Sequence, residues 1–266
     1  MDHGYRMLRH VVAQVFGNFG QAARLTMLLT FLPMALLLLL FLQVGPSYNA
    51  FPGGPMEPQG QMGPNGMGQM TNPGLLFLAV LAGIVVSAIT YCWAAVGWHR
   101  FVLLEEYGNG IVPKWHGSKV LSYLGRAFLI GIVVVVIAFL TSLLLAGAVM
   151  AIPSQGFAFI LATGWTLGMT WVITRIGLIL PAAALGQPMS IGESWEATKP
   201  VATDLLVPLL VIALAITLLN ELIMLLFTNS ALGMIPLAFL YWIQILLNLS
   251  LMTTLYGTQV EGRALS

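Results

Sequence analysis

The sequence predicts an all-α polytopic membrane protein: six transmembrane helices, with amphipathic interfacial helices on the cytoplasmic side. Three observations carry that prediction. Of the 266 residues, 59% are hydrophobic and only 7% charged, whereas a soluble domain carries about 25% charged residues, so lipid is the expected solvent. Six apolar runs are long enough to cross a hydrocarbon core of about 30 Å, which takes about 20 helical residues. All ten Lys and Arg residues fall on one side of the map those runs define.

The runs are 25–44, 75–98, 127–149, 157–176, 205–228 and 232–254. Each is expected to be a helix, because lipid offers the backbone no hydrogen-bond partners and a lone segment satisfies itself only as a helix. The first run lies near the N-terminus, but its length of about twenty residues exceeds the h-region of a cleaved signal peptide, about 7 to 15, so it reads as a retained span. Arg6, Arg9 and Arg24 precede it. Arg100, Lys114, Lys119 and Arg126 stand between the second and third runs, Arg175 and Lys199 between the fourth and fifth, and Arg263 after the sixth. The connections 45–74, 150–156 and 229–231 hold no Lys or Arg. Basic loops resist translocation, so the basic side and both termini are expected in the cytoplasm.

The fourth run is the weakest, with only seven Leu, Ile, Val or Phe residues between 157 and 175. Arg175 at its end is expected to snorkel to the interface.

The cytoplasmic connections repeat a theme. Leu8, Val11, Val12, Val15, Phe16 and Phe19 follow helical spacing, with Arg6, Arg9, His10 and Gln14 on other faces, which predicts an interfacial amphipathic helix over 5–19. Val120, Leu121 and Leu124 give a shorter version before the third run. Ser190 and Glu193 match a capping box, starting a helix that runs through Trp195 towards Lys199 and stops at Pro200. Arg100 and Arg175 each close a span, and the next span starts 27 and 30 residues later. Three repeated units, or ordinary hairpins with chance similarity, both fit this spacing.

Residues 45–74 are rich in Gly, Pro, Gln and Met, a composition expected to form a flexible outer loop. Met56, Met62, Met67 and Met70 in it are soft ligands suited to Cu(I), although low-complexity drift explains them equally well without metal.

Glu221, beside Asn220, is the only acid deep within a run. The 16 Leu, Ile, Val and Phe residues of 205–228 favour insertion by about 5 to 10 kcal/mol, against about 3 kcal/mol for one charge. A tight turn near 229–231 would set Asn220 and Glu221 level with Leu240 and Tyr241, and Thr217 level with Gln244, whose face Asn248 shares. The result is a polar seam of Asn220, Glu221, Tyr241, Gln244 and Asn248. It reads either as an ion path or as a structural contact, a protonated Glu221 bonded to Tyr241 or Gln244.

Small residues at four-residue steps, Ala79, Gly83 and Ser87 in the second run and Gly164 and Gly168 in the fourth, let helices approach closely. They serve either packing within the chain or a homodimer. Cys92 reads as a small core hydrophobe. His3, His10, His99 and His116 show no ligand spacing, so no metal or other cofactor is expected. Nucleotide-binding loops and nucleophile motifs are absent, and no basic stripe points to nucleic acid. No enzyme activity is expected.

In WHRFVLLEE (Trp98–Glu106), RIGLILPAAALGQPMSIGESWEATK (Arg175–Lys199) and TLYGTQVEGR (Thr254–Arg263), the chain resembles uncharacterised bacterial multi-pass proteins. These are the YciC-like inner-membrane proteins and the membrane module that precedes some glycerophosphodiester phosphodiesterases. That resemblance implies a bacterial cytoplasmic (inner) membrane and no established activity. No phosphodiesterase domain follows residue 266, so that activity is not carried over. The function expected is a non-enzymatic accessory or lipid-organising role, with membrane lipids and a protein partner or second copy as partners. The alternative is a small-molecule or ion transporter along the seam at Glu221.

Overall fold

The computed structural model describes residues 2–44, 73–108, 110–228 and 231–265. The candidate copper ligands Met56, Met62, Met67 and Met70 lie outside them. The described residues form helices and their connections, with no strand among them. In chain order the helices are α1 (Asp2–Gly17), α2 (Phe19–Ala22), α3 (Leu28–Val44), α4 (Pro73–Leu104), α5 (Gly117–Ala151), α6 (Gln155–Ile176), α7 (Ile179–Leu185), α8 (Ile191–Ala197), α9 (Leu206–Leu226) and α10 (Met234–Gln259). Among the described residues, six stretches are long and apolar enough to cross a membrane: Phe19–Leu39, Leu76–Leu104, Gly117–Ala151, Gln155–Leu185, Leu206–Leu226 and Met234–Gln259.

Those bounds differ from the apolar runs mainly at the end that carries the basic residues, called here the basic end. Helix α5 has 35 residues and so spans about 52 Å at 1.5 Å per residue, well beyond a hydrocarbon core of about 30 Å. Its first turns hold Val120, Leu121 and Leu124, so this segment is the start of a long helix rather than a separate interfacial one. Tyr123 and Val120 are buried there, which is why the polar turns stay helical. Helix α4 likewise runs on to Leu104, where Glu105 turns left-handed (φ 53°) and sends the chain back over the helix end.

Helix α1 has two apolar faces with different fates. Gly4, Met7, Val11 and Val15 are buried, pressed on α9 and α10. A Cβ at Gly4 would stand 2.4 Å from the Asp204 carbonyl oxygen. Val12, Phe16 and Phe19 remain exposed. Half of the stripe predicted to face the interface is therefore covered by protein. From α2 the chain enters the first span through one π-helical turn, Ala23–Met27. A π turn rotates side chains relative to regular helix. Thr26, in that turn, donates to the Ala22 carbonyl at 2.7 Å and accepts the Trp242 indole N–H at 2.8 Å.

The capping box forms as the sequence predicts: the Ser190 hydroxyl accepts from the Glu193 backbone N–H, and the Glu193 carboxylate accepts from the Ser190 N–H. Helix α8 ends at Ala197, before Pro200, and the chain goes on through a 3-10 turn at Lys199–Val201. There the proline costs nothing, because the first N–H groups of a helical turn lack partners anyway.

The fourth crossing stretch has the lowest mean hydropathy of the six, 1.5, yet 61% of its most apolar window is buried, against 6% in the second and third. Protein rather than lipid solvates much of it, so it needs less apolar surface to sit in a membrane. Cys92 is buried within α4, as a small hydrophobe would be.

Candidate functional site

The helix bounds give the level of the expected seam. Asn220 lies six residues before Leu226, the end of α9, and Gln244 ten residues after Met234, the start of α10. At 1.5 Å per residue these are about 9 and 15 Å from the end of the bundle opposite the basic one. Asn220 thus sits nearer that far end, while Gln244 stands about halfway through a core of about 30 Å.

Three of the five seam residues come together. Asn220, Tyr241 and Gln244 line a groove of about 820 Å³ between α3, α9 and α10, whose other walls include Phe31, Met34, Leu38, Ile216 and Phe239. The spacing explains the grouping: Ile216 and Asn220 are four apart on α9, while Leu237, Tyr241 and Gln244 are four and three apart on α10, so each set shares one face. Tyr241 also borders a second groove, of about 420 Å³, whose lining includes Thr30, Ser87 and Thr90. Glu221 is not in either lining. It sits exposed on α9, next in sequence to the half-buried Asn220, and among the described residues it makes no bond to Tyr241 or Gln244. Asn248 is exposed as well, outside the groove.

The small residues separate in the same way. A Cβ at Gly83 would lie 1.9 Å from Leu37 Cδ2, so the α4 stripe receives a side chain of α3 within the chain. Ser87 lines the second groove beside it, and Ala79 is half-buried one turn away. Cβ atoms at Gly164 or Gly168 would meet nothing within 4 Å. Among the described residues, none packs on that face of α6 at these two glycines.

No local sequence pattern announces the polar layer at the basic end. His99 is fully buried. Its Nδ1 is 2.7 Å from the Thr253 hydroxyl and its Nε2 3.3 Å from the Tyr123 hydroxyl. Thr253 donates its single proton to the Leu249 carbonyl at 2.6 Å, so it can only accept from His99. The Nδ1–H tautomer follows, with Tyr123 donating to Nε2, and every group is satisfied. Beside it, the Trp98 indole N–H donates to the Ser250 hydroxyl at 3.1 Å.

Arg175 does not snorkel. It is 5% exposed, its guanidinium 4.9 Å from the Trp171 ring centre and 3.6 Å from that of Trp195. It donates to the Trp195 carbonyl at 2.7 Å and to the Thr198 hydroxyl at 3.2 Å. Two indole faces and two acceptors replace the water it would have sought at the interface. In return the Ser194 hydroxyl donates to the Arg175 carbonyl at 2.7 Å, tying α8 to the end of α6.

Glu106 closes the α4–α5 connection. It receives Arg100 at 2.7 Å and His116 at 2.7 Å on its two oxygens. Burial pushes its carboxyl up, but the hydrogen bonds from His116 and Arg100, and their charge, outweigh that and hold it below the usual carboxylate range. Arg100 also donates to the Ala184 carbonyl, and Arg263 to the Leu103 carbonyl. The three stretches Trp98–Glu106, Arg175–Lys199 and Thr254–Arg263 therefore meet at one end of the bundle.

Tryptophan was the overlooked signal. Five of the seven tryptophans donate their indole N–H to another segment: Trp93 to the Pro113 carbonyl, Trp98 to Ser250, Trp165 to Thr141, Trp171 to the Ala202 carbonyl and Trp242 to Thr26. An indole in a chain this apolar needs such a partner. No family model, curated protein or solved structure matches this chain.

Proposed function

We propose that this chain is a non-enzymatic membrane component that organises lipid, seating acyl chains in the groove between α3, α9 and α10. The observation that supports this is the groove itself. Its volume of about 820 Å³ falls within the range of ligand sites, about 300 to 1,000 Å³. Its walls are apolar apart from Asn220, Tyr241 and Gln244, which lie within about 15 Å of the far end. Polar groups in hydrocarbon are costly without partners, so these three favour an occupant with acceptors at that depth. With the basic end in the cytoplasm of a bacterial inner membrane, the groove belongs to the outer leaflet. Ion transport through Glu221, the other function the sequence allows, gains no support from this geometry, because Glu221 lies outside the groove.

The test is Ala238→Trp, which places an indole in the groove from one of its own wall positions. Phospholipid retained per chain after purification in mild detergent, measured by mass spectrometry, falls in this variant. Equal retention in both chains overturns the proposal.

A further inference from the structure

At the basic end, on the α5–α7 side of the bundle, a second kind of pocket is present. It measures about 240 Å³ and is lined by Ser118, Lys119, Ser122 and Arg126 of α5 and by Gly186, Gln187 and Pro188, which follow α7. We propose that this pocket binds the phosphate of an anionic lipid headgroup.

Charge is the first argument. Two cations line the pocket and no acid does. Arg100, Lys199 and Arg263 each pair with a glutamate, whereas Lys119 and Arg126, like Arg9 and Lys114, have no ion pair among the described residues. Arrangement is the second. Ser118, Ser122 and Arg126 recur every four residues and so share one helix face, presenting two hydroxyls and a guanidinium in a row. Arg126 donates one N–H to the Met189 carbonyl, which fixes the planar group and leaves its other donors for a ligand. Lys119 is held over Gly186, where the backbone is left-handed (φ 80°) and a Cβ would fall 1.8 Å from its Nζ. Only glycine leaves room for the ammonium there. Level is the third argument. Arg126 immediately precedes the apolar run 127–149, and Leu121, Phe128 and Leu129 lie exposed on the same helix. A phosphate in the pocket would thus have acyl chains running along apolar helix below it, and the surface potential of anionic lipid would concentrate such headgroups there.

This site is separate from the groove and nearer the opposite leaflet, so the two proposals fail independently. The probes are short-chain soluble phosphatidylglycerol, the matching phosphatidylcholine and inorganic phosphate, titrated into the detergent-purified full-length chain. The unsubstituted chain is expected to prefer phosphatidylglycerol over both others. Lys119→Gln with Arg126→Gln weakens that binding by about tenfold or more, the expected loss of a charge-assisted hydrogen bond. Arg9→Gln, an exposed cation on α1, changes it little. Ser118→Ala with Ser122→Ala keeps both cations and the 186–190 turn, and still weakens binding severalfold. Equal weakening by Arg9→Gln overturns the site in favour of diffuse surface charge. Inorganic phosphate binding as well as the lipid overturns the lipid as ligand, and unchanged binding in both pocket variants overturns the proposal outright.

Discussion

At the basic end, α1, α4, α7, α9 and α10 meet around fully buried Trp98, Leu205 and Leu255, while α5 and α6 brace them through Tyr123 and Arg175. At the far end, α5, α6 and α9 stand apart, and Val135, Phe139, Leu144, Phe159 and Leu225 are exposed. The far end is the more apolar of the two in sequence, since all Lys and Arg residues lie at the other. The difference teaches what holds helices together when the solvent is itself hydrocarbon: burying a leucine against another helix gains little over lipid, so association relies on close shape and interhelical hydrogen bonds. The basic end has many such bonds. At the far end, Trp165 to Thr141 at 2.9 Å is a rare example among the described residues.

The substitution that tests this contrast with the largest effect is Trp98→Ala. It removes a buried ring and orphans Ser250, and should cost about 3 to 5 kcal/mol, measured by unfolding in mixed micelles of mild detergent and dodecyl sulfate. Arg175→Met keeps the side-chain length but loses both hydrogen bonds and the stacking on Trp171 and Trp195, for a cost of about 2 kcal/mol. Ser190→Ala removes half of the α8 capping box and should cost about 1 kcal/mol.

Acidity sharpens the same contrast more gently. Because Glu106 has a folded-state pKa below its unfolded one, its contribution is present above the ordinary glutamate value, about 4.3, and is lost as pH falls through the lower, folded one. The melting temperature of the native chain should therefore fall on acidification by more than that of Glu106→Gln. The smallest effect belongs to the far end, where Phe139→Ala, on a side chain 65% exposed, should change stability by less than about 0.5 kcal/mol. A loss comparable with that of Trp98→Ala would mean that the two ends are built alike.

The crossings were legible because hydropathy is a property of consecutive residues, and the capping box because it spans only four. The seam was legible in part. Asn220, Tyr241 and Gln244 follow helical spacing across one tight turn, but Glu221 lies exposed on α9 outside the groove, because which face of α9 meets its neighbours is not written in the spacing. Arg175 was read as snorkelling because its partner Trp195 lies 20 residues away, beyond a turn whose path periodicity does not encode. The His99 layer joins residues 24 and 154 apart in sequence, and no local pattern announces such a pairing.

The amino-acid sequence alone determined that this protein lives in lipid, crosses it as helices and carries its basic residues at one end, since each of these follows from the transfer energy of short segments taken one at a time. Which polar groups are satisfied, which small residues receive a neighbour and where the bundle stays open were decided only by the tertiary structure. Those outcomes depend on the angles and levels at which distant helices meet, and a segment's own composition carries no record of them.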